Sequence, residues 1–151
     1  METRFVADSM LGKLSKWLRV LGYDTHYQSC YNEGALKKLA EEGRKLLSRR
    51  MQIRKLYSNA LWLHSDHVLE QLLQLKETGA LITDRSKWFT RCLVCNVPLT
   101  DAPVEAYVES VPDYILHQRI SNLRLCPVCH RFFWPGSHRE KMIHQLEEWG
   151  L

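Results

Sequence analysis

The stretch "RFVADSMLGKLSKWLRVLGYDTHY", residues 4–27, decides the fold class. Its first residues, 4–7, are apolar enough for a short buried strand. Leu11, Leu14, Leu18 and Leu21 then recur at spacings of 3, 4 and 3, one apolar stripe on a helix. Lys13, Lys16 and Arg19 fall off that stripe and are expected to face water. Gly22 stands at the natural stop of the helix, and residues 25–27 can form a second strand. Asp8 sits where the first strand hands over to the helix. An aspartate there either caps the helix or holds an ion.

The same alternation continues downstream. Asn32 is the expected N-cap of a helix through Leu36, Leu39 and Ala40, closed by Gly43. Residues 45–48 read as a third strand, 49–55 as a basic connector and 60–65 as a fourth strand. Asp66 then begins a helix carrying Val68, Leu69, Leu72, Leu73 and Leu75, ending near Gly79. "ALIT", residues 80–83, reads as a fifth strand. Strands alternating with helices give an α/β fold, a mostly parallel sheet flanked by helices.

Such sheets bind ligands beyond the carboxyl ends of their strands. Asp8, Asp66 and Asp84 each follow an expected strand, and Glu70 shares a helical face with Asp66. These four acids are the candidate catalytic set. Clustered carboxylates hold Mg²⁺ or Mn²⁺, which activates water and stabilises charge on a phosphate. Aspartate is also a favoured N-cap, so a purely structural role for Asp8 and Asp66 stays open.

Cysteines, prolines and aromatics begin near Trp88, which places a boundary between an α/β domain, residues 1–88, and a second region, residues 89–151. Of the five cysteines, four form two C-x-x-C pairs, Cys92 with Cys95 and Cys126 with Cys129. Two such turns supply four thiolates to one tetrahedral Zn²⁺. The thirty residues between them, 96–125, hold Pro98, Pro103 and Pro112 and read as a loop inserted into a zinc ribbon. A closed four-thiolate site is structural, stapling a segment too small to fold alone. His130 follows Cys129, but four cysteines already satisfy the ion. Cys30 is left over, by default a small buried apolar residue.

The chain closes on a helix with Met142, Ile143, Leu146 and Trp149 on its apolar face, and Ser137 with Glu140 as a capping box. His138, in its first turn, is either a surface residue or a phosphate contact helped by Arg131 and Arg139.

Hydrophobic residues are 45% of the 151 and charged residues 25%, as in soluble globular domains. No apolar run approaches the roughly 18 residues of a membrane span. The N-terminus carries no apolar signal core, so the expected location is the cytoplasm, where paired cysteines favour metal over disulfide. The net charge of +4 permits a nucleic-acid partner without requiring one. Its distribution is uneven: residues 37–55 hold eight Lys or Arg against two Glu, whereas 101–113 is acidic.

Three stretches are similar to one known family, in order and across nearly the whole chain: "FVADSMLGKLSKWLRVLGYD" (5–24), "FTRCLVCNVPL" (89–99) and "CPVCHRFFWPGSHREKM" (126–142). They resemble the PIN-like RNase domain named after the C-terminus of the Mut-seven exonuclease. The resemblance implies a PIN-like α/β fold with a C-terminal zinc ribbon, and a metal-dependent RNase. Asp8 matches the family's first acid, and Asp66 a polar position after a later strand. One departure stands out. After its third strand the family usually reads Thr-Arg-Asp, where this chain has Ser48, Arg49 and Arg50. A cation in place of an acid opposes Mg²⁺ binding. Asp84, in "LITDR", mimics the missing motif at a different place in the order. Either another acid substitutes, or metal binding is weakened, or catalysis is lost.

Two functions are therefore expected. One is metal-dependent RNA processing by phosphodiester hydrolysis, with Asp8 and Asp66 holding Mg²⁺ or Mn²⁺. The other is a catalytically inactive RNA- or ribosome-binding module of the same fold. A protein partner is the fallback, and no membrane is involved. Lys13, Arg49, Arg50, Arg54, Arg131, His138 and Arg139 are the candidate RNA contacts in both.

Overall fold

The computed structural model describes residues 2–103, 111–114 and 123–151. Two compact units are present, Met1–Asn96 and Val97–Leu151. In the first, strands β1 (Phe5–Ala7), β2 (Thr25–Tyr27), β3 (Lys45–Ser48) and β4 (Ala60–Trp62) make a parallel sheet of order β2-β1-β3-β4. Helices α1 (Gly12–Val20), α2 (Glu33–Glu41), α3 (Ile53–Leu56) and α4 (Val68–Glu77) connect and flank it. The α/β fold with a parallel sheet flanked by helices is thus observed.

β1 is central and wholly buried, which is why Phe5, Val6 and Ala7 form an apolar run without alternation. Leu14, Leu18 and Leu21 of the α1 stripe are fully buried, as are Leu72 and Leu75 of α4. Elsewhere Val6, Leu46 and Ile53 pack with Tyr31, Leu36, Leu39, Tyr57 and Trp62. The strand order reverses between β1 and β3. Chain leaving β1 runs to one side and chain leaving β3 to the other, which opens a crevice at the carboxyl ends of these two strands. Asp8 follows β1 and Ser48 ends β3, so both stand at that crevice.

Four expectations need correction. Arg19 does not face water: it is 7% exposed, and its guanidinium donates to backbone carbonyls, as described below. Residues 80–83 form no strand. The Tyr23 hydroxyl takes both backbone groups of Ile82, donating to its carbonyl at 2.7 Å and accepting from its N–H at 2.8 Å. On the outer edge of β4, the Gln74 amide accepts from His64 N–H at 3.0 Å and donates to Trp62 C=O at 2.8 Å. The groups a fifth strand would need are therefore occupied on both partners. Helix α4 starts at Val68 with His67 at its N-cap, so Asp66 does not begin it. The last helix, α5 (Ser137–Glu148), has Gly136 at its N-cap and no side-chain cap bond, so the capping box of Ser137 and Glu140 does not form.

In the second unit, β5 (Thr100–Asp101), β6 (Arg124–Leu125) and β7 (Phe132–Phe133) form an antiparallel sheet of order β5-β6-β7. Met142 and Leu146 are the buried residues of α5. Much of the acidic stretch 101–113 and of the loop inserted between the cysteine pairs lies outside the described residues.

α1 ends in a Schellman motif: Tyr23 N–H bonds Leu18 C=O at 2.9 Å and Gly22 N–H bonds Arg19 C=O at 3.0 Å. Gly22 has φ +94°, and a Cβ there would meet the Lys87 carbonyl oxygen at 2.5 Å. Gly22→Ala is therefore expected to destabilise the protein by at least about 1–2 kcal/mol, from the left-handed strain alone. Urea denaturation checks this, and an unchanged midpoint contradicts it.

Candidate functional site

Asp8 is buried at the crevice and is not a helix cap. The N-cap of α1 is Leu11, three residues further on, and it is reached through a turn. In that turn Leu11 N–H bonds the Asp8 carbonyl at 2.9 Å and Met10 N–H bonds Asp8 Oδ1 at 3.2 Å. The other carboxylate oxygen, Oδ2, faces β3. It accepts from the fully buried Ser48 hydroxyl at 2.8 Å and from Arg50 Nε at 3.2 Å. Ser48 Oγ also accepts from Arg50 N–H at 3.1 Å, which ties the arginine's backbone to the same point. The Asp8 side chain is 9% exposed and that of Arg50 is 56% exposed. The arginine thus closes a buried acid with one donor and leaves most of its guanidinium to solvent.

The other candidate acids make local contacts. Asp66 is exposed and pairs with its neighbour His67 at 3.5 Å. Glu70 accepts from the Ser65 hydroxyl. Asp84 caps the short 3-10 turn Arg85–Lys87 by accepting from Ser86 N–H at 3.0 Å. These Ser86 bonds hold its carboxyl below the ordinary carboxylate value. Among the described residues no three carboxylates converge on one site; the four cysteines form the group close enough to share an ion.

Around the crevice the basic connector becomes a turn and α3. Trp62 Nε1–H donates to the Arg49 carbonyl at 3.0 Å, and the Arg54 guanidinium lies 4.7 Å from the Trp62 ring centroid. Arg49 Nε is buried and has no hydrogen-bond partner among the described residues. Lys13 is exposed on α1. Arg131, His138 and Arg139 belong to the second unit; the first two are exposed, and burial, helped by nearby Arg124, pushes the Arg139 guanidinium pKa down.

The sulfur atoms of Cys92, Cys95, Cys126 and Cys129 all lie within 4.8 Å of one another. Zn–S bonds of about 2.3 Å in a tetrahedron demand such proximity, so the donor set fits a metal ion such as zinc in a ribbon. Each C-x-x-C turn is built alike. Cys95 N–H points at Cys92 Sγ at 3.3 Å, and Cys129 N–H at Cys126 Sγ at 3.5 Å. Each turn ends in a left-handed residue, Asn96 at φ 66° and His130 at φ 61°. His130 is thus a turn residue outside the ligand group. Cys30 is exposed, against the expectation of burial.

The first turn is fastened to the α/β layer by groups that sequence reasoning missed. Arg19 donates to the carbonyls of Thr25, Leu93 and Val94 at 3.0, 2.8 and 3.3 Å. Burial pushes its pKa down, and negative charge at Cys92 opposes that. Asn96 accepts from Thr25 N–H at 2.9 Å and donates to Asp24 at 2.7 Å. Arg91 donates to the carbonyls of Gly22 and Asn96. Arg44 pairs with Asp24 at 2.8 Å, both largely buried. Burial alone would raise the Asp24 carboxyl; the bonds from Arg44 and Asn96 outweigh it and hold the pKa below the ordinary value. Nearby, His26 Nδ1 lies 3.0 Å from the Tyr31 hydroxyl. Burial, then Arg44 and Arg19, pushes the imidazole down, and burial pushes Tyr31 up to about 12.

A family model described as the Mut7-C RNAse domain matches residues 3–146. The chain belongs to the Mut7-C RNAse domain family. That membership points to a nuclease-like or RNA-related function, and the match runs through both compact units. Among curated proteins and solved structures, no significant match to the chain is found. Among the described residues of this Mut7-C chain, no helix is long and apolar enough to cross a membrane.

Two outcomes follow. Elemental analysis is expected to find one zinc per chain, and the Cys126→Ser, Cys129→Ser double variant is expected to lose it; full retention contradicts the four-thiolate site. Because the Asp24 pKa is depressed, its stabilisation is complete above the unfolded value of about 3.9 and is lost as pH falls through the folded value. Urea stability should therefore drop below about pH 4. Asp24→Asn should cost about 1–3 kcal/mol at neutral pH and flatten that drop, and an unaltered pH profile contradicts the assignment.

Proposed function

We propose that this chain is an RNA-binding member of the Mut7-C family whose nuclease centre is held closed by an Arg50–Asp8 ion pair. The carrying observation is the 3.2 Å contact from Arg50 Nε to Asp8 Oδ2, on a carboxylate already bonded by Ser48 and Met10. A divalent ion on Asp8 would sit beside a guanidinium, with repulsion on the order of several kcal/mol at an effective dielectric near 20. Among the described residues Asp8 belongs to no group of three or more acids that could offset that cost. The same substitution suits phosphate binding. Arg50 keeps its outer donors in solvent, and Arg54 lies one turn on. A phosphate can accept from the solvent-facing donors of Arg50. The zinc is structural in this reading, the partner is RNA, free or within a ribosome, and the compartment is the reducing cytoplasm.

One observation favours metal-dependent hydrolysis as a second function. Asp8 stands at the sheet's switch point and is not used as a helix cap, the position of a ligand-binding acid. There Arg50, more than half exposed, would swing away and free the Asp8 carboxylate for Mg²⁺ or Mn²⁺. Labelled single-stranded RNA with Mn²⁺ separates the two. The proposed function predicts binding without cleavage, and an Arg49→Ala, Arg50→Ala variant with weaker binding and a salt slope reduced by about two. Cleavage that Asp8→Ala abolishes overturns it in favour of the nuclease.

A further inference from the structure

Trp62 is held from several sides. Its indole N–H bonds the Arg49 carbonyl at 3.0 Å, and the half-buried side chain packs against the Val6, Leu46 and Ile53 cluster. The Arg54 guanidinium lies 4.7 Å from its ring. The Gln74 side chain clamps the backbone on either side of Leu63, through Trp62 C=O and His64 N–H. The exposed His64 imidazole stacks on the indole, with centroids 4.4 Å apart and planes at 24°. Beside His64 lies an open depression of about 410 Å³, lined in part by Ser65, Leu73 and Gln74. Core packing explains Trp62 but not the exposed imidazole stacked on it.

We propose that Trp62 and His64, backed by Arg54, form a stacking platform for one unpaired base of a single-stranded RNA. This rests on the RNA-binding function above and names the part of the RNA that the site reads. The imidazole, laid on an indole that is itself held in place, presents its outer face to any base. Charge sets the orientation. Glu70 and Glu77 line the depression and disfavour a phosphate there, so the base enters that side. The backbone runs toward Arg50 and Arg54, whose charges attract it. Duplex RNA keeps its bases stacked on one another and has none to offer.

The test is fluorescence anisotropy of the full chain with labelled oligocytidine of about 12 nucleotides, against a duplex of equal length. His64→Ala is expected to weaken single-strand binding roughly tenfold and leave the salt slope unchanged, because no phosphate contact is lost. His64→Tyr, which restores a ring, is expected to bind as the natural chain does. Duplex affinity should be the same in all three. Circular dichroism verifies that each variant folds. If the natural chain binds the single strand and His64→Ala binds equally well, the platform is overturned and the RNA-binding function stands. If His64→Tyr loses as much as His64→Ala, stacking is overturned. If the natural chain binds no RNA, the RNA-binding function fails and takes the platform with it.

Discussion

The site depends on one buried acid and what neutralises it. Asp8 leaves the central strand of a parallel sheet into a crevice that the strand order makes unavoidable. An isolated carboxylate there would carry a heavy desolvation cost. A metal ion is one way to offset it. This chain uses another, the Ser48 hydroxyl and the Arg50 guanidinium on a single oxygen. The sequence Ser48-Arg49-Arg50 therefore acts as a unit. Ser48 fixes the carboxylate and the Arg50 backbone, and Arg50 brings the charge.

A second constraint is the fastening of the first cysteine turn. Backbone carbonyls of Thr25, Leu93 and Val94 converge on one guanidinium, and Asn96 reaches back to Thr25 and Asp24. Residue 96 closes the turn with a left-handed backbone, and its amide grips the edge strand β2. A substitution that keeps the turn but removes the amide would loosen both.

Much of the first unit was legible in the sequence, because its elements follow local rules. The leucine stripe from Leu11 to Leu21, the stops at Gly22 and Gly43 and the buried run of β1 need no distant partner to be read. What escaped was decided by distant atoms. Arg19 looks solvent-facing on a helical wheel, and only the carbonyls of residues 93 and 94 bury it. Residues 80–83 have strand composition, yet Tyr23 and Gln74 occupy the groups that pairing would use. In the site, the four cysteines were readable from spacing. That Arg50 opposes a metal could be inferred from its place after β3; that it grips Asp8 could not, because the contact joins residues 42 positions apart. The pairing of Trp62 with His64 carries no sequence signal beyond strand alternation.

The most direct measurement is Mn²⁺ titration of the zinc-loaded protein by electron paramagnetic resonance. Natural chain, Arg50→Asp and Asp8→Ala would be compared. The closed centre predicts no Asp8-dependent Mn²⁺ binding in the natural chain and a new bound ion in Arg50→Asp, where the cation gives way to an acid. Tight Mn²⁺ binding by the natural chain that disappears in Asp8→Ala would contradict it.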